Sequence, residues 1–240
     1  MMKRITGLLV LALFLAVPSL ALAAEQMGVY VTPKFVYGYT QMKMSAAALG
    51  YGTFAEGNEY DSVFGGALAV GYDVNKKFRI PLRAELEYAL FSTAEGETSQ
   101  TWYMGGNPYW RDSIKQKLQI QTLFVNAYYD FHNRTAFTPY LGGGLGLAFV
   151  RAKGSNNWTD YLYSVSGTDK FGAKTTTNFA WNVGLGATYD ITNWCSIDLG
   201  YRFAGLGKGK TNYGGTLGSY RIKTKNIYMH QVTTGVRFTF

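Results

Sequence analysis

The stretch Val232-Thr233-Thr234-Gly235-Val236-Arg237-Phe238-Thr239-Phe240 alternates to its last residue. Successive side chains of a strand point to opposite sides. Val232, Thr234, Val236, Phe238 and Phe240 therefore share one face, and Thr233, Gly235, Arg237 and Thr239 share the other. A strand of about ten residues with one apolar face and aromatics at its end suits the lipid-facing wall of a transmembrane β-barrel.

The opposite end agrees. Lys3 and Arg4 precede an apolar run from Ile5 to Val17, Pro18 breaks it, and Ala21-Leu22-Ala23 supplies small residues for a peptidase. Residues 1–23 read as a cleaved export signal and residues 24–240 as one barrel domain. The apolar run is short for a resident membrane helix, and no later segment holds eighteen uncharged apolar residues. No Cys follows the signal, which argues against a lipid-modified N-terminus. Cys195 stands alone, so no disulfide can form within the chain. The net charge of +8 becomes +6 once Lys3 and Arg4 are removed, too small an excess to suggest nucleic acid as a partner. Mean hydropathy is close to zero, as expected when a polar interior averages against an apolar exterior.

An internal echo sets the topology. Tyr72-Asp73, Tyr129-Asp130 and Tyr189-Asp190 each close an alternating run, with Asn75, Asn133 and Asn193 following within three residues. Asp and Asn start tight turns through their own side chains. Reading outward from these turns predicts eight strands, near 28–41, 62–74, 78–92, 117–131, 137–151, 177–191, 194–206 and 225–240. The turns 74–77, 132–136 and 191–194 are short. The connections 42–61, 93–116, 152–176 and 207–224 are long and rich in Gly, Ser, Thr, Asn and Tyr. The expectation is an all-β, eight-stranded, antiparallel up-and-down barrel with short periplasmic turns and long extracellular loops. Pro33, Pro81 and Pro139 sit near the periplasmic starts of up-going strands, where each removes a ladder donor.

Parity assigns the faces. Leu141, Leu145, Leu147 and Phe149 oppose Gly142, Gly144, Gly146 and Ala148; Phe179, Trp181, Val183 and Leu185 oppose Asn182, Gly184 and Gly186. The bulky set faces lipid, since a narrow barrel has no room for it. Tyr72, Tyr129, Tyr189 and Trp194 then form a periplasmic aromatic girdle. Inward parity collects Lys34, Arg79, Arg83, Glu85, Glu87, Asp130, Asp198, Arg202 and Arg237, together with Asp73 and Asp190. Such charges should pair across the lumen, either as a structural polar core or as a gated plug in a pore. Asp73, Asp130 and Asp190 are expected within reach of Arg79 or Arg237.

The long connections carry Trp102, Tyr103, Tyr109, Trp110, Arg111, Trp158, Tyr161, Tyr163, Tyr213 and Tyr220, residue types enriched where proteins bind partners. They could equally pack on one another and extend the wall. Lys208, Lys210, Arg221, Lys223 and Lys225 form a basic cluster at the outer headgroup level, suited to lipopolysaccharide phosphates or simply to solvent. His132 lies in a turn and His230 on the lipid-facing parity, with no nucleophile–base pair, metal-ligand spacing or cofactor loop around them.

Asn126-Ala127-Tyr128-Tyr129-Asp130-Phe131, Phe137-Thr138-Pro139-Tyr140-Leu141-Gly142-Gly143-Gly144-Leu145-Gly146, Tyr201-Arg202-Phe203 and Val236-Arg237-Phe238-Thr239-Phe240 resemble the small eight-stranded outer-membrane β-barrel family. That family takes in opacity-type surface antigens and the OmpA-type transmembrane domain. The resemblance implies the bacterial outer membrane as location. It also implies outer-membrane lipid and lipopolysaccharide as surroundings, with Phe238 and Phe240 as the assembly signal read by the barrel-assembly machinery. With no peptidoglycan-binding segment after Phe240, a cell-wall tether is not expected. The leading expectation is a surface protein without catalysis or cofactor, supporting the envelope or displaying loops for adhesion to a surface ligand. A narrow porin-like channel for small solutes is the alternative, and a lipid-modifying enzyme a third reading.

Overall fold

The computed structural model describes residues 28–48, 52–214 and 220–240; the expected export signal, residues 1–23, lies outside them. Among the described residues nine strands form: β1 (Val29–Ala48), β2 (Gly52–Asp73), β3 (Leu82–Phe91), β4 (Ala94–Met104), β5 (Asn107–Asp130), β6 (Phe137–Asp160), β7 (Val165–Asp190), β8 (Cys195–Lys210) and β9 (Tyr220–Thr239). A single turn of helix, α1 (Val74–Phe78), separates β2 from β3. Neighbours pair antiparallel, β9 returns to β1, and β3 pairs with β5, which closes the sheet. β3 and β4 are one stave broken at Ser92 and Thr93, for β5 pairs with β3 along its lower half and with β4 along its upper half. The ring therefore has eight staves.

A path of register partners measures its stagger. From Tyr39 the path runs through His230, Phe203, Val183, Gly143, Ala127, Ala84 and Tyr72 to Val29, ten residues below its start on β1. A shear of ten with eight strands requires strongly tilted staves and a tube that side chains can fill.

The Tyr-Asp echoes end β2, β5 and β7. Asp73 caps α1 by accepting the Asn75 N–H at 2.9 Å, and Asn133 accepts the Thr135 N–H at 2.8 Å. The prolines are absorbed at this end. Pro81 precedes β3, and the β1–β9 ladder is interrupted between Val31 and Lys34, where Pro33 has no N–H to give.

The long connections differ from expectation. Most of 42–61, 93–116, 152–176 and 207–224 continues the staves as paired β-hairpins, turning at places such as Gly105-Gly106 and 161–164. These segments alternate as regularly as the lower strands. In β5, Asp112, Ile114, Gln116, Leu118 and Ile120 are buried while Lys115, Lys117 and Gln119 are exposed. The sense of the alternation is what changes. Below Leu123 the outward side chains are apolar and the inward ones mainly polar; above Gln121 the outward side chains are mainly polar and the inward ones mainly apolar, with Asp112 and Gln116 buried among them.

The tube thus has two storeys. Met42, Met44, Ile114, Leu118, Ile120, Leu206, Ile222, Ile227 and Met229 fill the upper one, and Phe124 sits at its floor, all essentially sealed from solvent. The interior expected to hold only small and polar residues is therefore apolar over its upper half. Polar outer walls there mean that burial drives the upper storey as in a water-soluble barrel, whereas the lower storey keeps its polar groups inside and its apolar groups outside.

Candidate functional site: the lumen, its rims and the raised hairpins

The charges of the lower storey come from alternate residues of five staves. β3 contributes Arg83, Glu85 and Glu87, β1 Lys34, β5 Asp130, β8 Asp198 and Arg202, and β9 Arg237. Lys34 Nζ lies 2.5 Å from Glu85 and 2.8 Å from Glu87, and Arg202 reaches the second oxygen of Glu87 at 2.6 Å. Arg83 donates to Asp130 at 2.6 Å and Arg237 to Asp198 at 2.6 Å. Tyr140 donates to Asp198 at 2.8 Å, and Arg202 also donates to Gln231. Four cations and four carboxylates balance, and aromatic faces take up what remains: Arg83 lies between the rings of Tyr128 and Tyr140, and Arg237 over Tyr30. Pairing and hydrogen bonding of this kind offset the cost of taking the charges out of water. A cavity of about 20 Å³ lies beside Lys34, Tyr128, Tyr140 and Arg202, enough for about one water.

Two expectations need correction. Arg79 takes no part in this network: it is the exposed C-cap of α1, with φ 56°, because the strand expected from residue 78 begins at Leu82. The aspartate partners also differ, Asp130 pairing with Arg83 rather than with Arg79 or Arg237. Asp73 is used by the α1 cap and Asp190 accepts from Ser196 at 2.7 Å. Arg79, Asp73 and Asp190 instead line a vestibule of about 650 Å³ at the short-turn mouth, which ends against the network at Asp130 and Arg237.

The rims follow from parity. Tyr72, Tyr129, Tyr189 and Trp194 stand on the outer wall at the short-turn end, with Trp194 stacked on Phe238 at 6.3 Å. Phe240 lies just past β9, bonded through its backbone to Val29 and Gly28. A second aromatic band, which the sequence reading missed, marks the upper limit of the apolar wall. Tyr39 stacks on Tyr60 at 5.9 Å, Phe203 on Tyr228 at 5.5 Å, and Tyr201 is hydrogen-bonded to His230 at 2.7 Å. His132 lies at the other end, 3.3 Å from the Asn75 amide. The visible signal of the upper band was the run of outward aromatics at the tops of the predicted strands.

Above this band the outer wall is charged. Lys208, Lys210, Arg221, Lys223 and Lys225 lie on the adjacent strands β8 and β9, and Lys43 of β1 pairs in register with Lys225. Arg221 stacks on Tyr213 at 4.7 Å. Inside the lip, Trp110 and Trp158 lie face to face at 5.3 Å and 7°, with Trp102 opposite Trp110 in register. Asp112 accepts from the Trp110 indole at 3.0 Å and from Asn156 at 2.5 Å beneath them. The backbone of Gly167 packs against the Trp158 ring, where a side chain would collide.

Comparison with known proteins agrees with this geometry. The family model described as the outer membrane protein beta-barrel domain matches residues 8–240. The chain is 33% identical over 224 residues to the outer membrane protein PagN of Salmonella typhimurium, covering 89% of this chain and 90% of that one. It is 28% identical over 177 residues to the putative adhesin RC1281 of Rickettsia conorii, covering 73% and 67%. Among solved structures it is similar to Neisserial surface protein A, with a TM-score of 0.49 and 19% identity over 89% of this chain and 97% of that one. The chain belongs to the outer-membrane protein β-barrel family, and its place is the bacterial outer membrane.

Proposed function

We propose that this protein is a non-catalytic surface adhesin: a sealed barrel that holds rigid hairpins above the outer membrane. The observation that carries the reading is the double closure of the lumen. A solute entering the periplasmic vestibule meets the bridged charges of Lys34, Glu87 and Arg202, and beyond them an apolar core around Leu118, Ile227 and Met229. The lower layer is filled by its own paired charges and the upper one by apolar side chains, so a porin-like role is disfavoured. The staves run on past the membrane in register, which makes the displayed surface a fixed wall rather than a set of loose loops. Rigid presentation lowers the entropy lost on binding. The relatives support the same direction, since one carries the words putative adhesin in its name.

The contact surface on this reading is the lip bearing Trp102, Trp110 and Trp158, large amphipathic side chains of the kind that anchor interfaces. The test is attachment of a non-adherent bacterial host expressing the protein to cultured epithelial cells. Wild type should raise attachment, and Trp110→Ala with Trp102→Ala should abolish the gain while heat-resistant migration on gels shows an intact barrel. Attachment unchanged by the wild-type protein would overturn the reading.

A further inference from the structure

We infer that the outer wall of β8, β9 and β1 is a binding site for the phosphates of the outer-leaflet lipid, which on this membrane are those of lipid A and its inner core. The inference goes beyond adhesion and concerns a different face of the barrel.

The first argument is register. Lys225 stands opposite Lys43 and Lys223 opposite Lys210 on neighbouring strands. Like charges directly opposed in a sheet repel, so the arrangement is unfavourable unless an anion lies between them. Carboxylates do not fill that role. Among the described residues none of Lys208, Lys210, Lys223 or Lys225 forms an ion pair, and Lys43 meets only Glu56, at 3.0 Å on an exposed surface. Elsewhere on the same wall the chain does supply partners: Lys115 lies 3.2 Å from Glu97, and Lys117 is bonded to Glu95.

The second argument is level and direction. Lys43 follows Tyr39 by four residues on the same face of β1, about 13 Å along the strand. Tyr39, Phe203, Tyr228 and His230 form the aromatic band at the top of the apolar wall. Aromatic belts mark the interface, so the lysines stand at headgroup height and point sideways into the leaflet. A soluble polyanion arriving from above would meet the lip instead. The glycine at 207, with φ 83°, and Asn226, with φ 52°, sit where the β8–β9 register shifts. These irregularities leave Lys223 and Lys210 on the outer face while Ile222, Thr224 and Ile227 stay buried.

The test uses the refolded mature protein in detergent micelles, titrated with bisphosphorylated lipid A, with fully dephosphorylated lipid A, with inorganic phosphate and with heparin. Tryptophan fluorescence and thermal unfolding report binding. The expected result is saturable binding of the bisphosphorylated lipid on the order of tenfold or more tighter than of the dephosphorylated one, weakened by salt. Lys210→Gln/Lys223→Gln/Lys225→Gln should lose that difference, while Lys115→Gln/Lys117→Gln keeps it. Equal affinity for both lipids, an unaffected triple variant, or inorganic phosphate or heparin competing as well as the lipid would each overturn the assignment. Gel migration of the folded and heated forms shows that the triple variant has folded, so a loss of binding reports the site.

Discussion

Glu87 and Arg202 meet at 2.6 Å across the full width of the lumen, since β3 and β8 lie four staves apart on either path round the ring. Lys34 shares the same carboxylate at 2.8 Å. Removing one member of a buried charge cluster strands the others, at a cost of about 3–5 kcal/mol. Glu87→Gln should therefore lower the unfolding midpoint in urea with folded lipid vesicles as the medium. A loss under about 1 kcal/mol would mean that water already solvates the cluster.

The second closure makes a sharper forecast. Glu87→Ala alone should leave a planar bilayer silent, because the apolar storey above is untouched. Glu87→Ala combined with Phe124→Ala and Leu118→Ala removes material from both layers and should give discrete conductance steps. Steps from Glu87→Ala alone would show that the upper storey does not seal.

The point at which the alternation inverts can be located by a lysine scan down the outer face of β5. Gln119→Lys should be neutral, since Gln119 stands among Lys117 and Arg151 above the apolar wall. Leu123→Lys and Val125→Lys place a charge against lipid and should cost about 2–4 kcal/mol as depth increases. A uniform response along the scan would contradict the two-storey architecture.

This inversion also explains what the sequence disclosed and what it hid. The Tyr-Asp echoes located three strand ends because side-chain-capped turns are local chemistry. The lower interior was legible because Arg83, Glu85 and Glu87 alternate with Ala84 and Leu86 on a strand whose other face is apolar. The upper staves were hidden by the same rule. Ile114, Leu118 and Ile120 share the inward parity of Asn126 and Asp130, so a rule that turns bulky apolar residues outward cannot describe the whole of β5. A tube in contact with lipid below and raised into water above must exchange the polarity of its two faces midway, and no local propensity marks the crossing. Arg79 was misplaced for a different reason: the strand pattern was extended through residues that the Asp73 cap turns into helix.

Glycine spacing gives a test of packing in the lower storey. A methyl group at Gly186 would collide with the backbone carbonyl of Leu199 and with the Tyr140 ring and hydroxyl, which donates to Asp198. Gly66 has open space around the same position. Gly186→Ala should destabilise by about 1–3 kcal/mol through overpacking, and Gly66→Ala by a few tenths at most. Equal effects would show that Tyr140 and the β8 backbone at Leu199 both yield freely.

The raised hairpins carry their own pH response. The Glu97 carboxyl is held below its usual 4.5, first by the hydrogen bond from Ser113 at 2.6 Å and then by the Lys115 ammonium at 3.2 Å. A carboxyl whose folded value is depressed adds stability that is present above the unfolded value and is lost as pH falls through the folded one. The β4–β5 hairpin should therefore tighten as pH rises towards neutrality and loosen under acid, while the lumen network below it is shut off from solvent. Because Glu97 and Lys115 are about half exposed, the effect is small and sensitive to salt. Nuclear magnetic resonance titration of the Glu97 side chain should give a midpoint below 4.5, and Ser113→Ala should move it up more than Lys115→Gln does. A midpoint at the ordinary value in the native protein would show that the clasp does not persist in solution.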